Sequence, residues 1–100
     1  MNSFAPLAAS TAIVRAPDQV SGDIEGRVVL LSIQNGEYYD LNEIGSRIWQ
    51  LIEKPITIGA LVDRLVEEFE VERPRCEAET LNFLQALLKD NLARIEGGTG

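Results

Sequence analysis

The sequence contains no histidine and only one cysteine, Cys76, among its 100 residues. The first absence removes the commonest general base and metal ligand. The second excludes an internal disulfide and leaves no Cys/His set for a zinc site. Basic residues are in the minority too: nine Lys and Arg stand against sixteen Asp and Glu, a formal charge of −7. Binding a nucleic-acid backbone needs Lys and Arg gathered on one face, and this balance argues against it. Nor is there a long hydrophobic run. The start, "MNSFAPLAASTAIVR", lacks a basic n-region and is interrupted by Pro6, Ser10 and Thr11, so neither a signal peptide nor a membrane span is expected. The missing disulfide framework fits a reducing compartment, and a cytoplasmic protein is expected. With so little material for chemistry, the chain reads as a non-enzyme with no cofactor and no metal.

What is there is an ordinary globular composition, 45% hydrophobic and 25% charged, in a length suited to one small core. Residues 1–17, with Pro6 and Pro17 among small and polar residues, read as a flexible arm, and 97–100 as a flexible tail. Between them, residues 18–96 form the expected domain. "QVSGDIEG" predicts a short strand around Val20–Ile24 and a turn at Glu25-Gly26. "RVVLLSI", Arg27–Ile33, is the clearest strand, rich in β-branched and aliphatic residues. Asn35-Gly36 is a strong hairpin signal because both residues tolerate positive φ, and the hairpin returns along Glu37–Leu41.

That third strand runs without a loop into a helix. Asn42 can cap it, and Ile44, Ile48, Trp49, Leu51 and Ile52 share one broad face. Lys54-Pro55 stops it, and Thr57 can cap a second helix in which Ile58, Leu61, Val62, Leu65, Val66 and Phe69 recur at helical spacing. Pro74 suits the first turn of a third helix that runs to about Asp90, where Asn91 fits a left-handed terminus. The order is thus α+β, three antiparallel strands followed by three helices. In the third helix, Leu81, Leu84, Leu88 and Leu92 cluster on one side, and Cys76, Thr80, Phe83 and Leu87 on an adjoining one. This apolar arc is wider than one packing contact needs.

The segment "VVLLSIQNGEYYDLNEIGSRIWQLIEKPITIGALVDRLVEEFEV", followed by "TLNFLQALLKDNLARI", resembles the PqqD-like proteins, the recognition elements of ribosomally made, post-translationally modified peptide pathways. The features that carry the resemblance are the hydrophobic strand, the Gly-centred hairpin, "YYDLN", Gly45 with Ile48-Trp49, Thr57 with Leu61, and Phe83-Leu84 with Leu87. Glu79 matches an acidic residue that the family often has before "FL", and Asn91 stands where it often has Gly. The segment "GEYYDLNEIGSRIW" is more similar to the stand-alone recognition proteins of lasso-peptide clusters than to the quinone-cofactor branch. The resemblance implies a winged-helix-like domain that binds the leader of a precursor peptide. The leader would add as a strand to the third strand, in a groove beside the third helix, and a separate processing enzyme such as a leader peptidase would receive it.

On that implication the edge is Glu37–Leu41. Alternation puts Glu37, Tyr39 and Leu41 on one face and Tyr38 with Asp40 on the other. Tyr39, Cys76, Thr80, Phe83 and Leu87 are expected to line the groove, with Ile33 extending it and Tyr38 a solvent-side cross-strand partner. Two other classes of function use the same elements. A winged-helix DNA-binding regulator would need exposed Arg, Lys, Asn or Gln on a recognition helix, and the third helix offers Arg75, Asn82, Gln85 and Lys89 among Glu77, Glu79 and Asp90. An edge-paired structural or activating subunit would spend the third strand on self-association. A monomer without nucleic-acid or membrane partners is expected.

Overall fold

The structure, a computed structural model, describes residues 7–17, 19–33 and 36–96. These form six strands and three helices: β1 (Ala12–Arg15), β2 (Gln19–Ile24), β3 (Arg27–Ser32), β4 (Glu37–Asp40), α1 (Glu43–Leu51), β5 (Ile56–Thr57), α2 (Ile58–Phe69), α3 (Arg73–Lys89) and β6 (Ala93–Glu96). The three expected strands are β2, β3 and β4, an antiparallel sheet in that order. At the β2–β3 turn Glu25 and Gly26 both take positive φ, and the Gly26 N–H donates to Asp23 Oδ1 at 2.9 Å. Gly36 also takes positive φ, as the second hairpin requires, while Asn35 lies outside the described residues.

The helix ends follow local chemistry. Asn42 and Thr57 accept from the Gly45 and Ala60 N–H groups, and Pro74 sits in the first turn of α3. Asn91 adopts the left-handed conformation, and the Leu92 N–H closes onto the Leu87 carbonyl at 2.8 Å.

The expected flexible arm is corrected in its second half. Ala12–Arg15 is β1, the middle strand of a second sheet, β5-β1-β6. Ile13 is fully buried, and the Arg15 guanidinium lies 4.7 Å over the Trp49 ring while its Nε donates to the Trp49 carbonyl at 2.9 Å. This strand escapes local reading because it is four residues long and its partners lie at Ile56–Thr57 and Ala93–Glu96, far along the chain. Residues 1–6 and 97–100 lie outside the described residues.

One core unites the elements: Ile13, Val28 and Leu30 meet Ile48 and Trp49 of α1, Ile52 just after it, Leu61 and Leu65 of α2, and Leu84 of α3. Among the described residues no helix is long and apolar enough to cross a membrane, and no cluster of three metal-ligating side chains occurs.

Candidate functional site

Among the described residues β4 pairs with β3 on one side only, with Leu30 opposite Tyr39 and Leu31 opposite Tyr38. Which backbone groups face the other side follows from one bond. The Leu41 N–H donates to the Val28 carbonyl at 3.0 Å, so Val28 and Leu41 are a hydrogen-bonded pair of the ladder. Antiparallel pairs alternate, so Leu30–Tyr39 is bonded as well, and the N–H and C=O groups of Tyr38 and Asp40 point away from the sheet.

The passage from strand to helix is fixed by Ser46. Its buried hydroxyl accepts from the Val28 N–H at 2.8 Å and donates to the Leu41 carbonyl at 3.3 Å. The hydroxyl thereby stands in for the return ladder bond between Val28 and Leu41. It ends the sheet there and ties the end of β4 to α1, which is how a strand enters a helix with only Leu41 and Asn42 between them. Arg27 Nε also reaches the Leu41 carbonyl, and its guanidinium pairs with Asp40 at 3.2 Å.

Side chains of β4 alternate as expected. Tyr39 is half-buried against the core and Leu41 is buried, whereas Tyr38 is 68% exposed. The Tyr39 hydroxyl lies 3.0 Å from Asp90 Oδ2 and 3.2 Å from Glu37 Oε1, reaching across to the C-terminal end of α3. It has one proton for two carboxylates, so it serves one of them at a time. The Tyr39 hydroxyl thus ties β4 to the C-terminal end of α3. Phe83 of α3 packs near the first turn of α1, its Cε1 3.5 Å from where a Cβ on Gly45 would stand.

Three expected groove residues are placed elsewhere. Cys76, Thr80 and Leu87 are 4%, 1% and 3% exposed and belong to the core, with the Cys76 Sγ 3.9 Å from Thr80 Oγ1. Periodicity defines the width of an apolar arc but not which neighbour covers each part. Here α1, α2 and β6 all pack on α3 and take the centre of the arc. The strip of α3 left outside the core lies further round, through Asp90, exposed Ala86, half-buried Phe83, and then Asn82 and Glu79. Ile33, at 65% exposure, sits in the turn after β3 rather than on the wall. Glu37 and Asp40 are exposed at the strand edge. Asn42, Ile44, Gly45 and Asn82, which line a cleft between α1 and α3 with Phe83, were not among the expected site residues; the signal for Gly45 was a helix-disfavouring residue inside a helix.

The helical surface gives nucleic acid little purchase. Arg47 and Arg64 both pair with Glu68, Arg73 with Asp63 and Glu77, and Arg75 with Glu79. Hydrogen bonding from Arg47, joined by Arg64 and opposed by desolvation, holds the Glu68 carboxyl below its ordinary value.

With this geometry, comparison with known proteins is informative. The family model described as "Coenzyme PQQ synthesis protein D (PqqD)" matches residues 27–93. The chain belongs to the PqqD family. Among solved structures, this PqqD-family chain is similar to TbiB1 in complex with the TbiA(beta) leader peptide, at 37% identity and a TM-score of 0.73, covering 87% of this chain and 99% of that one. Two further likenesses support the fold. A lasso peptide synthetase B1 complexed with its leader peptide is 24% identical, with a TM-score of 0.71 over 82% of this chain and 96% of that one. The PqqD truncation of Methylobacterium extorquens PqqCD, a stand-alone RiPP recognition element, is 18% identical, with a TM-score of 0.69 over 89% and 95% of the respective chains. A search of curated proteins gives no match.

Proposed function

We propose that this PqqD-family protein binds the leader segment of a ribosomally made precursor peptide by strand addition to β4, in the groove beside α3. It then delivers the peptide to a separate processing enzyme such as a leader peptidase. The observation that carries the reading is the outer edge of β4, where Tyr38 and Asp40 turn their backbone groups away from β3, while Tyr39 reaches Asp90 at the end of α3. The complex of a 37%-identical relative with a leader peptide supports it.

Strand addition divides the work. Main-chain bonds fix register, and alternate peptide side chains enter the groove, where they choose the sequence. Each buried aliphatic or aromatic side chain contributes ~1.5–3 kcal/mol before ordering costs. Fixing a flexible peptide takes back much of that gain. A dissociation constant between micromolar and nanomolar, roughly −8 to −12 kcal/mol, follows. The chain itself contributes binding and presentation, and no bond-breaking step is assigned to it. The test is a titration of a labelled leader from the cognate precursor, read by anisotropy at two salt concentrations. Saturable, sequence-dependent binding that weakens only mildly with salt supports the reading. Absence of binding at micromolar protein, together with concentration-dependent dimerisation, would assign the edge to self-association instead.

A further inference from the structure

Among the described residues the two sheets end in four edge strands, and these differ in charge. β2 carries Asp23, and β4 carries Glu37 and Asp40, so a second copy laid on either meets like charge. β5 is two residues long and uncharged. β6 pairs with β1 on one side only, and it alone carries both signs, Arg94 and Glu96. Both side chains are exposed, and neither belongs to an ion pair, whereas Arg27, Arg47, Arg64, Arg73 and Arg75 each hold a carboxylate.

The backbone of β6 has a definite outward set. The Ala16 N–H donates to the Leu92 carbonyl at 2.9 Å, so residues 16 and 92 form a bonded pair. On the other flank of β1, the Arg15 N–H donates to the Ile52 carbonyl at 3.0 Å, and the Thr11 carbonyl accepts from Ile58 at 2.9 Å. Odd residues of β1 thus face β5 and even ones face β6, which makes Val14–Arg94 and Ala12–Glu96 the bonded pairs of the β1–β6 ladder. The N–H and C=O groups of Ala93 and Ile95 therefore point away from the sheet. Ile95 lies opposite fully buried Ile13, yet its own side chain is 48% exposed at the edge.

We propose that β6 is a self-docking edge, on which a second copy of this chain adds its own β6 antiparallel around a two-fold axis. The outward groups fix the register. Ile95 exchanges N–H and C=O bonds with Ile95 of the second copy, and their half-exposed side chains meet on the axis. Arg94 then stands directly opposite Glu96 of the second copy, and Glu96 opposite its Arg94. Both pairs occupy the close, non-bonded position of the ladder, where Cα atoms lie about 4.5 Å apart and opposite charges attract. The edge is complementary to itself in charge, in backbone groups and in its one apolar side chain. The contact is short and each chain carries a charge of −7, so its dissociation constant lies between micromolar and millimolar. β4 belongs to the other sheet, so the pairing leaves its edge open on both copies.

Sedimentation velocity of the full chain, in a concentration series up to millimolar protein, tests this, with circular dichroism and Tm as controls for folding. The parent is expected to pass from monomer to dimer across the series. Arg94→Glu and Glu96→Arg each set like charges opposite one another, and each weakens self-association at least tenfold. Mixed in equal amounts, the two variants again present opposite charges at both positions and associate at least as tightly as the parent. The doubly exchanged chain, Arg94→Glu with Glu96→Arg, is self-complementary once more and regains association, which keeps the test open should one single variant misfold. A parent that stays monomeric at millimolar concentration overturns the proposal. So do folded single variants that associate like the parent, which would place the contact on another surface such as β4. Single variants that lose association and recover it neither in the mixture nor in the double exchange overturn the register and with it the proposal.

Discussion

The two sheets contain three strands each and are finished in opposite ways. β5-β1-β6 joins segments distant in sequence and works as a clasp. Ile13 goes fully into the core, the Arg15 N–H bonds the Ile52 carbonyl, and the Ala16 N–H bonds the Leu92 carbonyl. β2-β3-β4 is built from two local hairpins, and only its inner face, through Val28, Leu30 and Ser32, is buried. Its outer face leaves Ile24, Leu31 and Tyr38 exposed, and β4 ends as an edge. An unpaired edge is an aggregation liability that proteins cover, blunt or use. Asp40 is paired with Arg27 and Glu37 is exposed, charges that discourage casual pairing, yet the backbone of Tyr38 and Asp40 remains presented. The contrast separates the clasp and helices, which carry the buried core, from the β4 edge, which the proposed function spends on binding.

The largest effect expected is on the stable side. Trp49→Ala empties the centre of the core beneath Arg15 and should cost about 3–5 kcal/mol in a denaturant titration. If its fluorescence-independent unfolding curve matches the parent's, the clasp and Trp49 are not where stability resides. At the boundary between the regions, Ser46→Ala removes the acceptor of a buried Val28 N–H and should cost about 1–3 kcal/mol, with faster amide exchange at Val28. On the binding side, Phe83→Ala and Tyr39→Ala should weaken leader binding far more than they change far-UV circular dichroism. Parent-like affinity in both folded variants would contradict the groove. The smallest effect belongs to the surface. Glu68→Gln breaks exposed pairs with Arg47 and Arg64, is worth at most about 1 kcal/mol, and leaves binding unchanged. Because the folded carboxyl of Glu68 titrates below its unfolded value of ~4.3, its contribution is present above that pH and fades as pH falls through the folded pKa. Comparing parent and Glu68→Gln melting at pH 7 and at low pH checks the sign.

Sequence reading succeeded where the determinants are local. Asn42, Thr57, Pro74 and Asn91 each mark a helix end by chemistry within a few residues, and the period-two face of β4 follows from Leu41 being buried beside α1. It failed where distant chain segments decide. β1 is a strand only because β5 and β6 arrive on either side of it. Cys76, Thr80 and Leu87 are core rather than groove because α1, α2 and β6 cover the centre of the α3 arc. Of the residues expected to line the groove, Tyr39 and Phe83 are half-buried rather than core; the Tyr39–Asp90 contact and the α1–α3 cleft at Gly45 were not legible, since each depends on what the fold places opposite it.

The most direct test of the central claim is amide hydrogen exchange, residue by residue along β4, with and without the cognate leader. The account predicts an alternating response. The Tyr38 and Asp40 amides, which point away from β3, gain protection when peptide binds, while the Tyr39 amide, already within the ladder, changes little. Saturable leader binding with no protection at Tyr38 and Asp40 would place the peptide elsewhere and contradict strand addition to β4.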